Sequence, residues 1–230
     1  MEPPSAFAVH ADRAVYTPLV RPLLDALADV DGTVLDIAAG NGALTALLPD
    51  AVALDRDAGQ LRANPAPLRV RADAACLPFA DDTFAAAACG FGLHHFAHPA
   101  AAIAEMARVA PVVAVLTWAR PDVPYPPREA VVEVLSRSTP RRTAVLAERR
   151  SERVGHPAVL RDLMAVAGLR AMARYVTVTV PWPGTAEYVA YRLGPVDFVS
   201  FGEEAIEAVD ALGVEQRRWT PRLVLAVGHR

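Results

Sequence analysis

Short apolar segments, three of which carry an acid at the carboxyl end, alternate with helical segments in the first half of this 230-residue chain. Predicted strands occupy residues 33–38, 51–55, 68–73, 84–91 and 112–118. Strands that alternate with helices at this spacing are typical of βαβ units, in which helices cover both faces of a parallel sheet. The sequence therefore predicts an α/β fold with a doubly wound, mostly parallel sheet.

The pattern changes after residue 118, where a proline-rich connection begins. Beyond it we predict helices at about 127–150, 157–167, 184–193 and 203–213, and strands at 172–182 and 222–229. The chain is expected to form a single domain over residues 1–230. Within it, residues 1–30 are predicted to form a helical cover, and residues 119–215 to include segments that close over a site.

Composition limits the class of protein. A content of 53% hydrophobic and 21% charged residues favours a compact globule. No apolar stretch reaches about 18 residues, and the N-terminus lacks the basic start and apolar core of a secretory signal. We therefore expect a soluble, cytoplasmic protein without membrane contact. The net charge of −3 gives little reason to bind nucleic acid.

Two residue types bear on possible chemistry. All 23 basic residues are arginines, which excludes any mechanism that needs a lysine. The two cysteines, Cys76 and Cys89, do not have the spacing of a metal site, and we expect both to be free, buried thiols. No metal is predicted.

A ligand site is expected at the carboxyl ends of the strands. Asp36, Asp55 and Asp73 all lie there, and open α/β sheets bind ligands at that edge. The glycine loop (residues 38–42, AAGNG) lets a ligand approach the backbone. Asp55 is placed to accept hydrogen bonds from a ribose diol. A nucleoside-containing cofactor fits these features, although glycine-rich turns also end ordinary strands. A dinucleotide is the competing cofactor, but the first glycine of its fingerprint is missing.

The segment that starts at Asp73, DAACLPFADDTFAAAACGFGLHHF, carries a family resemblance. It is similar to class I S-adenosylmethionine-dependent methyltransferases of the small-molecule and quinone-methylating type, whose D-x-x-x-LPF-x-D-x-xF run leads into the fourth strand and an HHF turn. AEMARV (residues 104–109) likewise resembles the E-x-x-RV helix of these proteins. The resemblance covers roughly residues 6–118. It implies a Rossmann-like methyltransferase fold: a seven-stranded, mostly parallel sheet with an antiparallel last strand and helical lid insertions.

The resemblance also implies S-adenosylmethionine as the cofactor and assigns its contacts. The glycine loop is expected to hold the methionine part, the acid after the second strand the ribose, and the acid after the third strand the adenine amine. The residues are Asp36, Ala38, Gly40 and Gly42 around the loop, Asp55 at the ribose, Arg56 beside the adenine, Asp73 and Ala74 at the adenine amine, Phe91 near the sulfonium, and Tyr16 near the methionine carboxylate.

The chain departs from the family pattern at three places. Ala38 replaces the first glycine of the loop, and Ala85 replaces the acid that usually follows the Phe of the TFD motif. The PGG turn before the fifth strand is shortened to Ala110-Pro111. These changes bear on turnover more than on the fold.

Two adjacent histidines, His94 and His95, follow the fourth strand at the expected rim of the site. An imidazole that titrates near neutral pH is suited to take a proton from a methyl acceptor, so both are candidate catalytic bases. His94 ranks first because it is nearer the strand end. The alternative is that the pair caps a helix and packs the lid.

The predicted activity is transfer of a methyl group to an O, N or C atom of a small organic molecule, with specialised metabolism as the proposed setting. The alternative is a cyclase or isomerase that binds S-adenosylmethionine on the same fold without methyl transfer, because a fold does not fix chemistry. Trp118 and Trp182 are candidate walls of an apolar acceptor pocket, with core packing an equal alternative. An arginine-rich run at residues 141–153 is interpreted mainly as a solvated helix face. Oligomeric state is open.

Overall fold

The computed structural model describes residues 6–48, 50–120, 124–136 and 153–230. Its strands are β1 (Val34–Ile37), β2 (Val52–Asp55), β3 (Leu68–Arg71), β4 (Ala86–Gly90), β5 (Val112–Trp118), β6 (Arg170–Thr177) and β7 (Arg222–His229). Its helices are α1 (Ala6–Leu19), α2 (Arg21–Ala26), α3 (Ala58–Ala63), α4 (Pro99–Val109), α5 (Pro126–Ser136), α6 (Pro157–Val166) and α7 (Thr185–Asp210).

The seven strands form one sheet in the order β3-β2-β1-β4-β5-β7-β6. The first five strands run parallel, whereas β7 pairs antiparallel with both β5 and β6. The predicted sheet with an antiparallel last strand is therefore confirmed. Since β1 has β2 on one side and β4 on the other, the winding reverses at β1, and a crevice opens above its carboxyl end.

Two hydrophobic layers cover the sheet. On one face, α4 and α6 bury Ile103, Met106, Leu160 and Met164 against the central strands. On the other face, α1 and α2 bury residues such as Leu19. A separate cluster joins α5 to α7. All four residues of β1 are buried, as expected for a central parallel strand that is covered on both faces.

Several elements differ from the sequence predictions. The helix expected at 42–49 is reduced to a 3₁₀ turn at Thr45–Leu47. The strand expected at 172–182 begins and ends earlier, because its ladder with β7 runs from Arg170 to Thr177. The two helices expected at 184–193 and 203–213 form α7, which is kinked at Gly194, where φ is +70°.

The remaining predictions concern the cysteines, the arginine-rich run and membrane-spanning helices. Both cysteines are free, but Cys76 is exposed and only Cys89 is buried, so burial was wrongly predicted for Cys76. Cys76 lies in the turn closed by its bridge to Asp73, away from the strands that bury Cys89. Most of the arginine-rich run and the end of the helix predicted at 127–150 fall within 137–152, outside the described residues. No helix in the described part of the chain is long and apolar enough to cross a membrane.

Candidate cofactor site

A cavity of about 420 Å³ lies at the carboxyl ends of the parallel strands, beside β1, where the winding reverses. That volume is within the range of small-molecule sites. Its wall is contributed by α1, the glycine loop, the segments that follow β2 and β3, and the turn that follows β4. The residues predicted as contacts that line it are Tyr16, Asp36, Ala38, Gly40, Asp55, Arg56, Asp73, Ala74 and Phe91.

The glycine loop is held by side chains from β2 and from the end of α3. One carboxylate oxygen of Asp55 accepts from the Gly40 N–H at 2.9 Å, and the other accepts from the Asp57 N–H at 2.9 Å. The amide of Asn64, buried at 3% exposure, donates to the Gly40 carbonyl at 3.0 Å. Both backbone groups of Gly40 are therefore bound, and the loop is fixed before any ligand arrives.

Arg13 of α1 connects the N-terminal helical cover to the glycine loop. Its Nε and Nη2 donate to the carbonyl of Asn41 at 3.0 and 2.7 Å, and Nη2 also donates to the carbonyl of Ala63. One guanidinium thus joins the cover, the glycine loop and the end of α3. Neither Arg13 nor Asn64 was predicted as a site residue, because both act on backbone groups more than 20 residues away in the chain.

Gly42 is the last residue of the glycine loop, and it is not among the described residues that line the cavity, although it was predicted as a contact. Its φ is +95°, and a Cβ there would come within 2.3 Å of Pro65 Cδ. Glycine is therefore needed for close packing against the Asn64-Pro65 turn. Ala38 also has a positive φ, +54°, which places an alanine in the left-handed conformation that favours glycine.

Asp36 is 2% exposed and accepts a 2.6 Å hydrogen bond from the Thr45 hydroxyl. Burial raises the pKa of Asp36 to about 7, despite the hydrogen bond from Thr45, and the charge of Asp55 raises it further. The carboxyl group therefore changes protonation close to neutral pH. A positively charged ligand in the cavity would favour its ionised form.

The LPF motif and the E-x-x-RV helix interlock. Glu105 accepts from the Leu77 N–H at 2.7 Å, and Arg108 donates to the carbonyls of Leu77 and Phe79 at 3.1 and 2.8 Å. Arg108 also pairs with Glu105 and Asp81, and its hydrogen bonds to Glu105 lower the pKa of that carboxyl. These bonds anchor α4 to the segment that follows Asp73. The two motifs thus fix the cavity wall from outside.

At the wall expected to face an adenine, Asp73 accepts from the Ala75 N–H at 2.9 Å and closes a tight turn. Arg56 contributes its carbonyl to Arg71 Nε at 3.0 Å. Asp57, which lines the cavity without having been predicted, caps α3 through bonds from Gly59 and Gln60. Carboxylates and fixed backbone groups therefore surround this end of the cavity.

Aromatic rings close the opposite end. Phe91 directly follows β4 with φ +60°, a strained conformation for an aromatic residue. Its ring lies 4.7 Å from that of Trp118 and 5.2 Å from that of Tyr16. We call the rings around and above this point the aromatic cover: Tyr16, Trp118, Tyr125, Tyr188, Tyr191 and Trp219. Trp182 packs outside it, 5.2 Å from Tyr188.

The two histidines differ in exposure, although their rings are in contact, with centroids 3.9 Å apart. His95 is exposed and lines the cavity, whereas His94 is 9% exposed and does not line it. Both lie in the 3₁₀ turn Leu93–His95, in which successive side chains are about 120° apart. Burial lowers the pKa of His94 to about 3, and the charges of His95 and Arg120 lower it further. The geometry thus favours His95 over His94 as a group that can meet a ligand.

Other reactive groups add little at this edge. The buried Cys89 stays a thiol, because burial raises its pKa to about 12. Across the described ranges, no group of three or more His, Cys, Asp or Glu side chains has the arrangement needed to hold a metal ion. The cavity offers carboxylates, side-chain amides, backbone groups, aromatic faces, imidazoles and the guanidinium of Arg56.

Residues 35–111 match the family model described as a methyltransferase domain. The match is confined to this segment. It includes the glycine loop, the LPF motif and α4. The resemblance to class I methyltransferases noted from the sequence is therefore confirmed.

The similar curated proteins each match less than half of the chain. A demethylmenaquinone methyltransferase from Renibacterium salmoninarum is 42% identical over 98 residues, which cover 39% of this chain and 41% of that protein. One from Roseiflexus sp. is 43% identical over 108 residues, covering 40% and 45%. The chain thus spans less than half the length of the curated relatives that it matches.

Among solved structures, a protein of Anabaena variabilis named as a methyltransferase of an antibiotic biosynthesis pathway has a TM-score of 0.65. It is 14% identical, over 89% of this chain and 96% of its own. At this identity the similarity establishes the fold alone, and the fold extends well beyond the matched segment.

Proposed function

We propose that the chain binds S-adenosylmethionine in this cavity and transfers its methyl group to a small organic molecule. The support is that one cavity, at the crevice beside β1, is lined by nine of the ten residues that the family resemblance assigned to this cofactor. The prearranged glycine loop and the carboxylates of Asp55 and Asp73 suit a ligand with a ribose diol and an adenine amine.

The residues present fit this cofactor. Asp55 keeps accepting capacity for a diol, since each carboxylate oxygen has about two acceptor sites and one bond from the backbone. The glycine loop offers backbone without a crowding side chain at Gly40, where a Cβ would lie 3.9 Å from its nearest neighbour, Gln60 Oε1. When bound, the cofactor supplies a methyl group on a positively charged sulfur and leaves as a neutral thioether.

His95 is the residue that we assign to proton removal from the acceptor. It is exposed at the cavity wall, whereas His94 is held neutral within the core. An acceptor that loses a proton as it gains the methyl group needs a base within hydrogen-bond reach. Tyr16 of the aromatic cover lines the same cavity, and its neighbours Trp118 and Tyr191 are half-buried, which suits an apolar acceptor of the quinone-like class on which the named relatives act.

The test is to incubate the protein with S-adenosylmethionine and a naphthoquinol acceptor of the demethylmenaquinone type, and to measure S-adenosylhomocysteine and methylated product. We expect the two products in a one-to-one ratio. Turnover of the acceptor without S-adenosylhomocysteine would instead support the cyclase or isomerase alternative. The family model and the curated relatives favour methyl transfer over that alternative.

The base assignment has its own test. We expect His95→Gln to slow methyl transfer by roughly 10²–10⁴-fold, the usual contribution of a general base. His156→Gln is the matched control, because His156 lies at the start of α6 and contacts Tyr175 instead of the cavity. Equal rates in the His95 variant and the control would show that His95 is not the base.

A further inference from the structure

The charges that line the cavity are unbalanced. Four of its side chains carry a carboxyl group and one carries a guanidinium. The acids are Asp36, Asp55, Asp57 and Asp73, and the base is Arg56. The histidines at the wall, His95 and His98, are the remaining titratable lining residues with basic side chains. A cavity of this composition attracts a cation and gives no comparable advantage to a neutral ligand.

Aromatic faces lie at the same cavity. Tyr16 and Phe91 both line it, and Trp118 packs against both, with ring centroids 6.4 and 4.7 Å away. Tyr16 is half-buried and belongs to α1, so the N-terminal helical cover contributes an aromatic ring to the cavity wall. Aromatic faces attract cations, and cages of such rings recognise ligands that carry a charge on an alkylated centre.

The backbone at Phe91 supports a role for the ring. Its N–H donates to the Leu116 carbonyl at 2.8 Å, which fixes the chain in the left-handed conformation. A glycine would adopt this conformation without strain, so the side chain is kept at a conformational cost. Packing against Trp118 and Tyr16 compensates part of that cost and holds the ring in place at the cavity.

We propose that Tyr16 and Phe91 form a cation-recognising wall that makes the cavity prefer the sulfonium form of the cofactor over its neutral demethylated product. This proposal rests on the proposed function. It assigns to Tyr16 an interaction through the ring face, in place of the hydroxyl contact to the methionine carboxylate that the sequence resemblance implied. The preference would help the product to leave after methyl transfer.

Calorimetric binding of S-adenosylmethionine and S-adenosylhomocysteine to the full chain and to variants tests the proposal. Tyr16→Leu and Phe91→Leu each remove a ring face and keep an apolar side chain. We expect each to weaken S-adenosylmethionine about fivefold to thirtyfold and S-adenosylhomocysteine less than about twofold. Sinefungin, which carries a protonated amine in place of the sulfonium, is expected to follow S-adenosylmethionine.

Two further variants separate the ring face from other roles. Tyr16→Phe keeps the face and removes the hydroxyl, so we expect it to bind both ligands like the unmodified chain. Phe84→Leu is the matched control, because Phe84 packs edge-on against Phe79 at 4.8 Å and does not line the cavity. We expect it to leave the ratio of the two affinities unchanged.

The outcomes are distinguishable. Equal weakening of both ligands in Tyr16→Leu and Phe91→Leu overturns the cation wall and leaves the proposed function intact. The same holds if Tyr16→Phe loses as much affinity as Tyr16→Leu, which would assign the effect to the hydroxyl. If the unmodified chain binds neither ligand, the proposed function itself fails. Should Tyr16→Leu not fold, Phe91→Leu gives the same decision.

Discussion

Residues 35–111 and the segments that cover them are held in different ways. In the first region, side chains bind backbone groups: Asp55 and Asn64 hold Gly40, and Arg108 holds the segment after Asp73. In the second, the rings of the aromatic cover pack against one another in edge-on and stacked pairs, and Trp182 packs against Tyr188. Hydrogen bonds to backbone fix positions to a fraction of an ångström, whereas ring packing tolerates exchange of one apolar shape for another.

The two regions therefore have different roles in the proposed function. The polar region coincides with the match to the methyltransferase domain model, and it presents the groups that suit the cofactor. The aromatic cover reaches the cavity through Tyr16, and its other rings are not among the described residues that line the cavity. Changes in the first region should therefore alter cofactor affinity, and changes deep in the second should not.

The largest expected effect concerns Asp36 and pH. Its pKa is about 7 in the folded protein, against 3.8 for an unperturbed carboxyl. Between these values the unfolded chain releases the proton and the folded chain keeps it, so this group's contribution to stability falls as pH rises from about 4 to 7. The loss is up to about 4 kcal/mol, and it is complete above pH 7.

Chemical denaturation of the unmodified chain and Asp36→Asn at several pH values measures it. The amide does not titrate, so we expect the difference in the free energy of unfolding between the two proteins to change across this window and to be constant above it. A difference that is independent of pH would show that Asp36 is already ionised in the fold.

A somewhat smaller effect is expected from Gly42→Ala. The new Cβ would clash with Pro65 at a residue whose φ is +95°, so we expect a loss of about 3 kcal/mol of stability and weaker cofactor binding. Gly168→Ala is the control, because Gly168 has φ +80° but open space around it. It should cost about 1 kcal/mol and leave cofactor affinity unchanged. Similar losses in both variants would mean that crowding behind the loop is unimportant.

Asn64→Ala comes next. It removes the bonds from the side-chain amide to the Gly40 carbonyl and to Thr45, and the bond that it accepts from Ala66. We expect a loss of about 2 kcal/mol of stability and a higher Kd for S-adenosylmethionine, measured by calorimetry. Gln216→Ala removes an exposed turn bond to Gly213 and should change neither by much. An unchanged Kd in Asn64→Ala would break the link between loop rigidity and binding.

The smallest effect is expected in the aromatic cover. Tyr125→Phe keeps the ring that stacks on Trp219 and loses the 2.7 Å bond from its hydroxyl to the Arg217 carbonyl. We expect about 1 kcal/mol of lost stability and an unchanged Kd for S-adenosylmethionine. A raised Kd would show that the cover and the cofactor region are coupled more tightly than the packing indicates.

The sheet, the glycine loop and three of the acids at the cavity wall follow from the sequence. Alternation of apolar strands with helices requires a covered parallel sheet, and strand ends carry Asp36, Asp55 and Asp73 to one edge whatever the details of packing. The segment from Asp73 onward and α4 were also readable, since their motifs are local in sequence. The family match confirms the resemblance drawn from them.

The tertiary structure alone decided which side chains complete the site. Arg13 and Asn64 reach the glycine loop from 28 and 24 residues away, and their targets are backbone carbonyls, which leave no trace in side-chain spacing. Whether His94 or His95 lines the cavity depends on how the 3₁₀ turn that carries both residues places them. The pKa of Asp36 follows from burial beneath its neighbours. Each of these depends on what packs against a residue, and a sequence records only what that residue is.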